Sequence, residues 1–95
     1  MARPQPSLSL AEAARLLPLL SDPTRLRLLL LLADRCRASV GDLADALGRS
    51  QSAVSNHLGL LHRFGVVQSR REGLRVYYRL NSPSAAALLW RVRED

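Results

Sequence analysis

VGDLADALGRSQSAVSNHLGLL, residues 40–61, holds two short amphipathic segments around one glycine. Ser39 stands where a helix N-cap is wanted, and Asp42 three residues on completes a capping box. Gly48 follows the last apolar position, Leu47, where a helix end favours a left-handed residue. Arg49-Ser50 makes the turn, and Ser50 caps a second helix that runs from Gln51 to about Phe64 and stops at Gly65. Leu43, Leu47, Val54 and Leu58 fall on the two inner faces, and small Ala44 lets the helices approach closely. Two short helices joined by a three- to four-residue turn are the helix-turn-helix pattern.

Working outward, the period changes from 3.6 to 2 after Gly65. VVQSRR and LRVYYRL read as two strands around a turn at Glu72-Gly73, a basic β-hairpin. Upstream, Ser9 and Glu12 form another capping box, opening a helix to about Leu20 with Leu10, Ala13, Leu17 and Leu20 along one stripe. Pro18 is expected to kink or shorten it. Ser21-Asp22-Pro23 restarts the chain, with Asp22 as cap and Pro23 at the first helical position. The helix to about Ala33 is apolar nearly all round, so it is expected to be the buried central one. Asn81-Ser82-Pro83 starts a last helix whose apolar face holds Leu88, Leu89 and Val92. The expected fold is mainly α with a β-hairpin wing, a winged helix-turn-helix in the order α-α-α-α-β-β-α. Residues 1–8 are expected to be a flexible N-terminal arm, and 9–95 the DNA-binding and dimerisation domain.

The 95 residues carry a formal charge of +6, and every basic side chain is Arg. Six of the Arg (49, 63, 70, 71, 75 and 79) lie between 49 and 79, against the single acid Glu72. The rest of the chain is close to balanced. Such a local excess is the electrostatic footprint of a nucleic-acid face. At the start of the second helix of the motif, Ser50, Gln51, Ser52, Ser55 and Asn56 present short polar side chains and free backbone amides, with Arg49 in the turn before them a further DNA-binding candidate. Gln and Asn bind adenine bidentately, and helix N-termini receive phosphates. Arg70, Arg71 and Arg75 ride on the hairpin, where they can track phosphates, and Arg75 fits a narrow minor groove. The same charges also deter edge-to-edge pairing of the hairpin. A winged domain that docks proteins is the rival reading. The local charge and the short-polar helix face favour DNA. The sequence has no Ser/His/acid, Cys/His or paired-carboxylate pattern and no Gly-rich phosphate loop, so an enzyme is not expected. One cysteine, Cys36, excludes an intrachain disulfide and suits a reducing compartment. No signal peptide or apolar run of membrane-spanning length is readable, so a cytoplasmic protein is expected.

Four segments in order, LSDPTRLRLLLLL (20–32), SVGDLADALG (39–48), SAVSNHLGLLHRFGVV (52–67) and RREGLRVYYRL (70–80), resemble the ArsR/SmtB family of metal-responsive regulators. The resemblance implies a homodimer formed by the first and last helices, binding double-stranded operator DNA through the fourth helix and the wing. His57 falls where the family usually carries His, which implies a structural or backbone-contacting role beside the DNA. Leu10, Leu17, Leu88, Leu89 and Trp90 exceed what a unit this small can bury, which suits the implied interface. The sensing positions differ. Where family members with a thiol site carry Cys, this chain has Ser39 and Gly41. After the hairpin it has Ser82 and Ser84 in place of Asp and His. Cys36 and His62 remain as weak metal candidates. His57 and His62 point about 140° apart on one helix and cannot chelate one ion together. No cofactor is expected to be required. Weak nickel or zinc binding, or a nickel signal delivered through a separate sensor protein, is the expectation for regulation.

Overall fold

The structure is a computed structural model and describes residues 8–92. Residues 1–7 of the expected arm and residues 93–95 lie outside that range. The described chain folds as α1 (Leu10–Leu20), α2 (Pro23–Asp34), β1 (Ala38–Ser39), α3 (Val40–Leu47), α4 (Gln51–Arg63), β2 (Val67–Glu72), β3 (Arg75–Leu80) and α5 (Pro83–Leu89). This is the expected winged helix-turn-helix, with one strand added.

Each helix starts where a short polar side chain satisfies orphan amides. Ser9, Asp22, Ser39, Ser50 and Ser82 accept from the backbone N–H of Glu12, Arg25, Asp42, Ala53 and Ala85. At α3 the box is reciprocal, because Asp42 also accepts from the Ser39 N–H at 3.3 Å. Gly48 ends α3 at φ 64°, and the Arg49 N–H reaches back to Ala44 O at 3.1 Å. A residue with a Cβ would be strained there. Pro18 does not shorten α1, which continues to Leu20. Its missing N–H falls in the last turn, so little of the helix lies beyond it.

The core is aliphatic. Leu28, Leu29 and Leu32 of α2 are fully buried with Leu43, Val54, Leu58 and Leu61 of the helix-turn-helix. Fully burying one such side chain contributes roughly 1.5–3 kcal/mol. The inward residues of α1 are Leu16 and Leu19, while Leu10 and Leu17 on the expected stripe remain 87% and 54% exposed. A Leu-rich helix offers several apolar stripes, and contact with α2 selects one of them. Leu89 also differs from its expected place. It is 4% exposed and belongs to the protomer's own core with Ala85. Both project from the side of α5 that packs on α2, whereas Leu88 is half-buried and Trp90 is 80% exposed.

The sheet is antiparallel in the order β1-β3-β2. β1 was not legible, since two residues cannot show a period. It pairs Ala38 with Tyr78 and Ser39 with Tyr77, so the wing is joined directly to the start of α3. The hairpin turn is Gly73-Leu74, one residue later than expected, with Glu72 opposite Arg75. Gly73 supplies the positive φ of 62° that the tight turn requires. No helix among the described residues is long and apolar enough to cross a membrane.

Candidate nucleic-acid interface

Burying Val54, Leu58 and Leu61 fixes which side of α4 faces the core and leaves Gln51, Ser52, Ser55 and Asn56 exposed. These four cluster on the outer face at the N-terminal half of the helix, beside its first-turn amides. Ser50 serves as the cap, its hydroxyl accepting from the Ala53 N–H at 3.1 Å. Arg49 is exposed in the turn before it. The α4 N-terminus thus offers backbone donors and the positive end of a 13-residue helix dipole.

The wing meets this surface from the side. An open cleft of about 510 Å³ lies between α2 and α5, whereas one of about 410 Å³ brings Gln51 of α4 together with Asp42 and Asp45 of α3 and Arg75 of β3. Gln51 and Arg75, assigned to DNA from different parts of the sequence, therefore share one cleft. Gln51 Nε2 stands 3.7 Å from where a Cβ on Gly41 would sit, an ordinary contact distance that places the Gln51 side chain against the first turn of α3. The Asp42 carboxyl is held below the ordinary carboxylate range, first by the Ser39 hydroxyl and backbone amide, then by the nearby Arg75 charge. On the hairpin, Arg71 Nε donates to Gly73 O at 3.3 Å, bracing the turn. Arg70 and Arg71 are both exposed.

His57 is half-buried on the flank of α4, and its charge helps lower the Asp22 carboxyl, after the larger effect of the Arg25 amide. It faces the start of α2. Arg15 Nη1 donates to Phe64 O at 2.9 Å, tying α1 to the end of α4. Cys36 is exposed in the bend after α2, and His62 is exposed in the last turn of α4. Among the described residues no group of three or more His, Cys, Asp or Glu is arranged to hold a metal ion.

Sequence reasoning missed Arg37. From the bend before β1 it forms an ion pair with Glu72 and lies over the Tyr77 ring, 4.1 Å from the centroid. No local pattern announces a contact between residues so far apart in the chain.

A polar-faced helix after a tight turn, with an arginine-bearing hairpin sharing its cleft, is the arrangement of a DNA-binding winged domain. The model of the bacterial regulatory protein arsR family matches residues 22–69, from the cap of α2 into β2. The chain belongs to the ArsR family. It is 40% identical over 79 residues to the transcriptional activator HlyU of Vibrio cholerae, covering 83% of this chain and 72% of that one. It is 38% identical over 87 residues to the arsenical resistance operon repressor of Escherichia coli, with coverage of 85% and 74%. The solved structure of HlyU from Vibrio cholerae is similar with a TM-score of 0.79 at 40% identity, covering 84% of this chain and 86% of that chain. The homodimeric winged helix-turn-helix DNA-binding domain from Mycobacterium bovis is similar with a TM-score of 0.75 at 36% identity, covering 85% and 74%. This ArsR-family chain is therefore a transcriptional regulator built on a winged helix-turn-helix DNA-binding domain.

Proposed function

We propose that the protein acts in the cytoplasm as a homodimer on double-stranded operator DNA, with α4 reading bases and the wing gripping phosphates. The observation that carries this reading is the shared cleft of Gln51 and Arg75. It couples a side chain suited to a base edge with one suited to a backbone or a narrow minor groove. Arg49, Ser52, Ser55 and Asn56 extend the reading face, and Arg70 and Arg71 extend the grip. The homodimeric state of the Mycobacterium bovis domain, and the exposed Leu10, Leu17 and Trp90, support pairing through α1 and α5.

The regulatory signal is proposed to come from outside this chain, through a separate sensor protein, with nickel the first signal to examine. Tight transition-metal sites need several Cys, His or carboxylate groups converging at fixed geometry. Cys36 and His62 sit on different elements, so nickel or zinc binding is expected to be weak. A ligand shifts an equilibrium only by its differential affinity for the two states. Operator affinity of the purified protein should therefore change less than about 10-fold with Ni²⁺, Zn²⁺ or Co²⁺, a coupling under about 1.4 kcal/mol. A nanomolar metal site that exceeds that factor would overturn the proposal and make Cys36→Ser and His62→Ala the next variants.

A further inference from the structure

Arg37 belongs neither to the helix-turn-helix nor to the hairpin, yet its side chain holds the wing at two points. Its guanidinium pairs with Glu72 at the end of β2 and sits over the ring of Tyr77 of β3. We propose that Arg37 is a positioning residue for DNA binding, a clasp that fixes the wing relative to the helix-turn-helix so that Arg71 and Arg75 meet the duplex that α4 has engaged. The inference rests on the DNA-binding reading above.

Three features support it. β1 pairs with β3 only at Tyr77 and Tyr78, so the rungs from Arg71 to Arg75 have no third strand beside them. A two-stranded ribbon alone is marginal in water. Arg37 carries support past the end of β1 to the last rung, where Glu72 faces Arg75. Second, Glu72 is the single acid between Arg49 and Arg79. An unpaired carboxylate there would repel phosphates, and pairing with Arg37 neutralises it. Third, one guanidinium serves both contacts, its Nη1 on the Glu72 carboxylate and its Cζ over the Tyr77 ring, and its extended planar group spans the two where a compact ammonium has only a point charge. The half-exposed pair adds little to global stability. Its effect is local restraint.

The test uses the full chain and a duplex that the wild-type protein enriches from a randomised pool. Arg37→Lys keeps the charge but loses the extended guanidinium that reaches both partners, and Tyr77→Leu removes the ring with no change of charge. If loosening leaves the wing correctly placed about a fifth of the time, affinity falls about fivefold in both variants. The dependence on salt should keep its slope, since no phosphate contact is removed. In the free protein, amides of residues 71–75 should exchange faster in Arg37→Lys and Arg37→Gln than in wild type, with the thermal midpoint near wild type. Arg37→Lys binding as wild type, with Arg37→Gln flattening the salt slope by about one, would mean that Arg37 touches a phosphate itself and would overturn the clasp. Unchanged amide exchange in Arg37→Gln overturns it too. Should the wild type enrich no duplex, the DNA-binding reading fails, while the exchange comparison still decides whether the clasp holds the wing.

Discussion

Asn56 and Arg71 are both exposed and both polar, but they stand on different elements, and the proposed function gives them different parts of recognition. Asn56 projects from the outer face of α4, where a carboxamide can pair with a base edge. Arg71 projects from the hairpin, where a guanidinium meets phosphates of any sequence. Asn56→Ala should relax sequence preference and cost about 1–3 kcal/mol on the enriched duplex, with little effect on unrelated duplexes. Arg71→Ala should weaken binding to all duplexes and reduce the salt slope by about one. Competition titrations with both duplex types over a salt series check the two outcomes, and matching profiles would contradict the division. At this scale the sequence was informative where function depends on local pattern: the polar face of α4 follows from its buried stripe. It was silent on Arg37, because the Glu72 and Tyr77 contacts exist only after the hairpin has folded against the bend.

The elements owe their ends to caps, and three caps or cap partners are carboxylates. Glu12 is held low first by the Ser84 hydroxyl and then by Ser9, Asp22 by the Arg25 amide, and Asp42 by Ser39. Glu12 joins α1 to α5 through Ser84, so this pair ties the first helix to the last. Depressed folded-state values stabilise the protein above the unfolded carboxylate range, and that contribution is lost as pH falls through the folded values. Stability to urea should therefore be level near neutrality and decline below about pH 4. Asp42→Asn should make the decline shallower, and an equally steep decline in that variant would contradict the assignment. Ser39→Ala should cost about 0.5–2 kcal/mol at neutral pH through loss of the α3 cap. Four of the five N-caps were legible, as was Gly48, since each is a residue type in a fixed relation to the next few residues; at α5 the sequence marked the restart at Asn81-Ser82-Pro83, and the structure assigns the cap to Ser82. β1 was not, because its two residues are defined by their partner, β3. The inward face of α1 was hidden for a related reason: Leu16 and Leu17 are chemically equal, and only α2 distinguishes them.

For the whole molecule, the balance between core and surface decides the oligomer. Leu10, Leu17 and Trp90 leave apolar surface exposed on α1 and at the end of α5, while Leu89 is inside. Leu17→Asp or Trp90→Asp should shift the mass measured by light scattering toward the monomer at micromolar concentration. Leu89→Ala should instead lower the unfolding free energy by about 2–5 kcal/mol, as a core truncation does. A wild-type monomer at that concentration would contradict pairing through this surface. The central claim, that α4 and the arginine wing form one DNA-binding face, meets its most direct test in a single titration. The wild-type protein is titrated against its enriched duplex from 50 to 200 mM salt, with a scrambled duplex alongside. Binding to the enriched duplex is expected to be tighter at every salt concentration. Log affinity is expected to fall linearly with log salt, at about −0.9 per phosphate neutralised and several phosphates in all. Binding that ignores salt, or that treats the two duplexes alike, would contradict that claim.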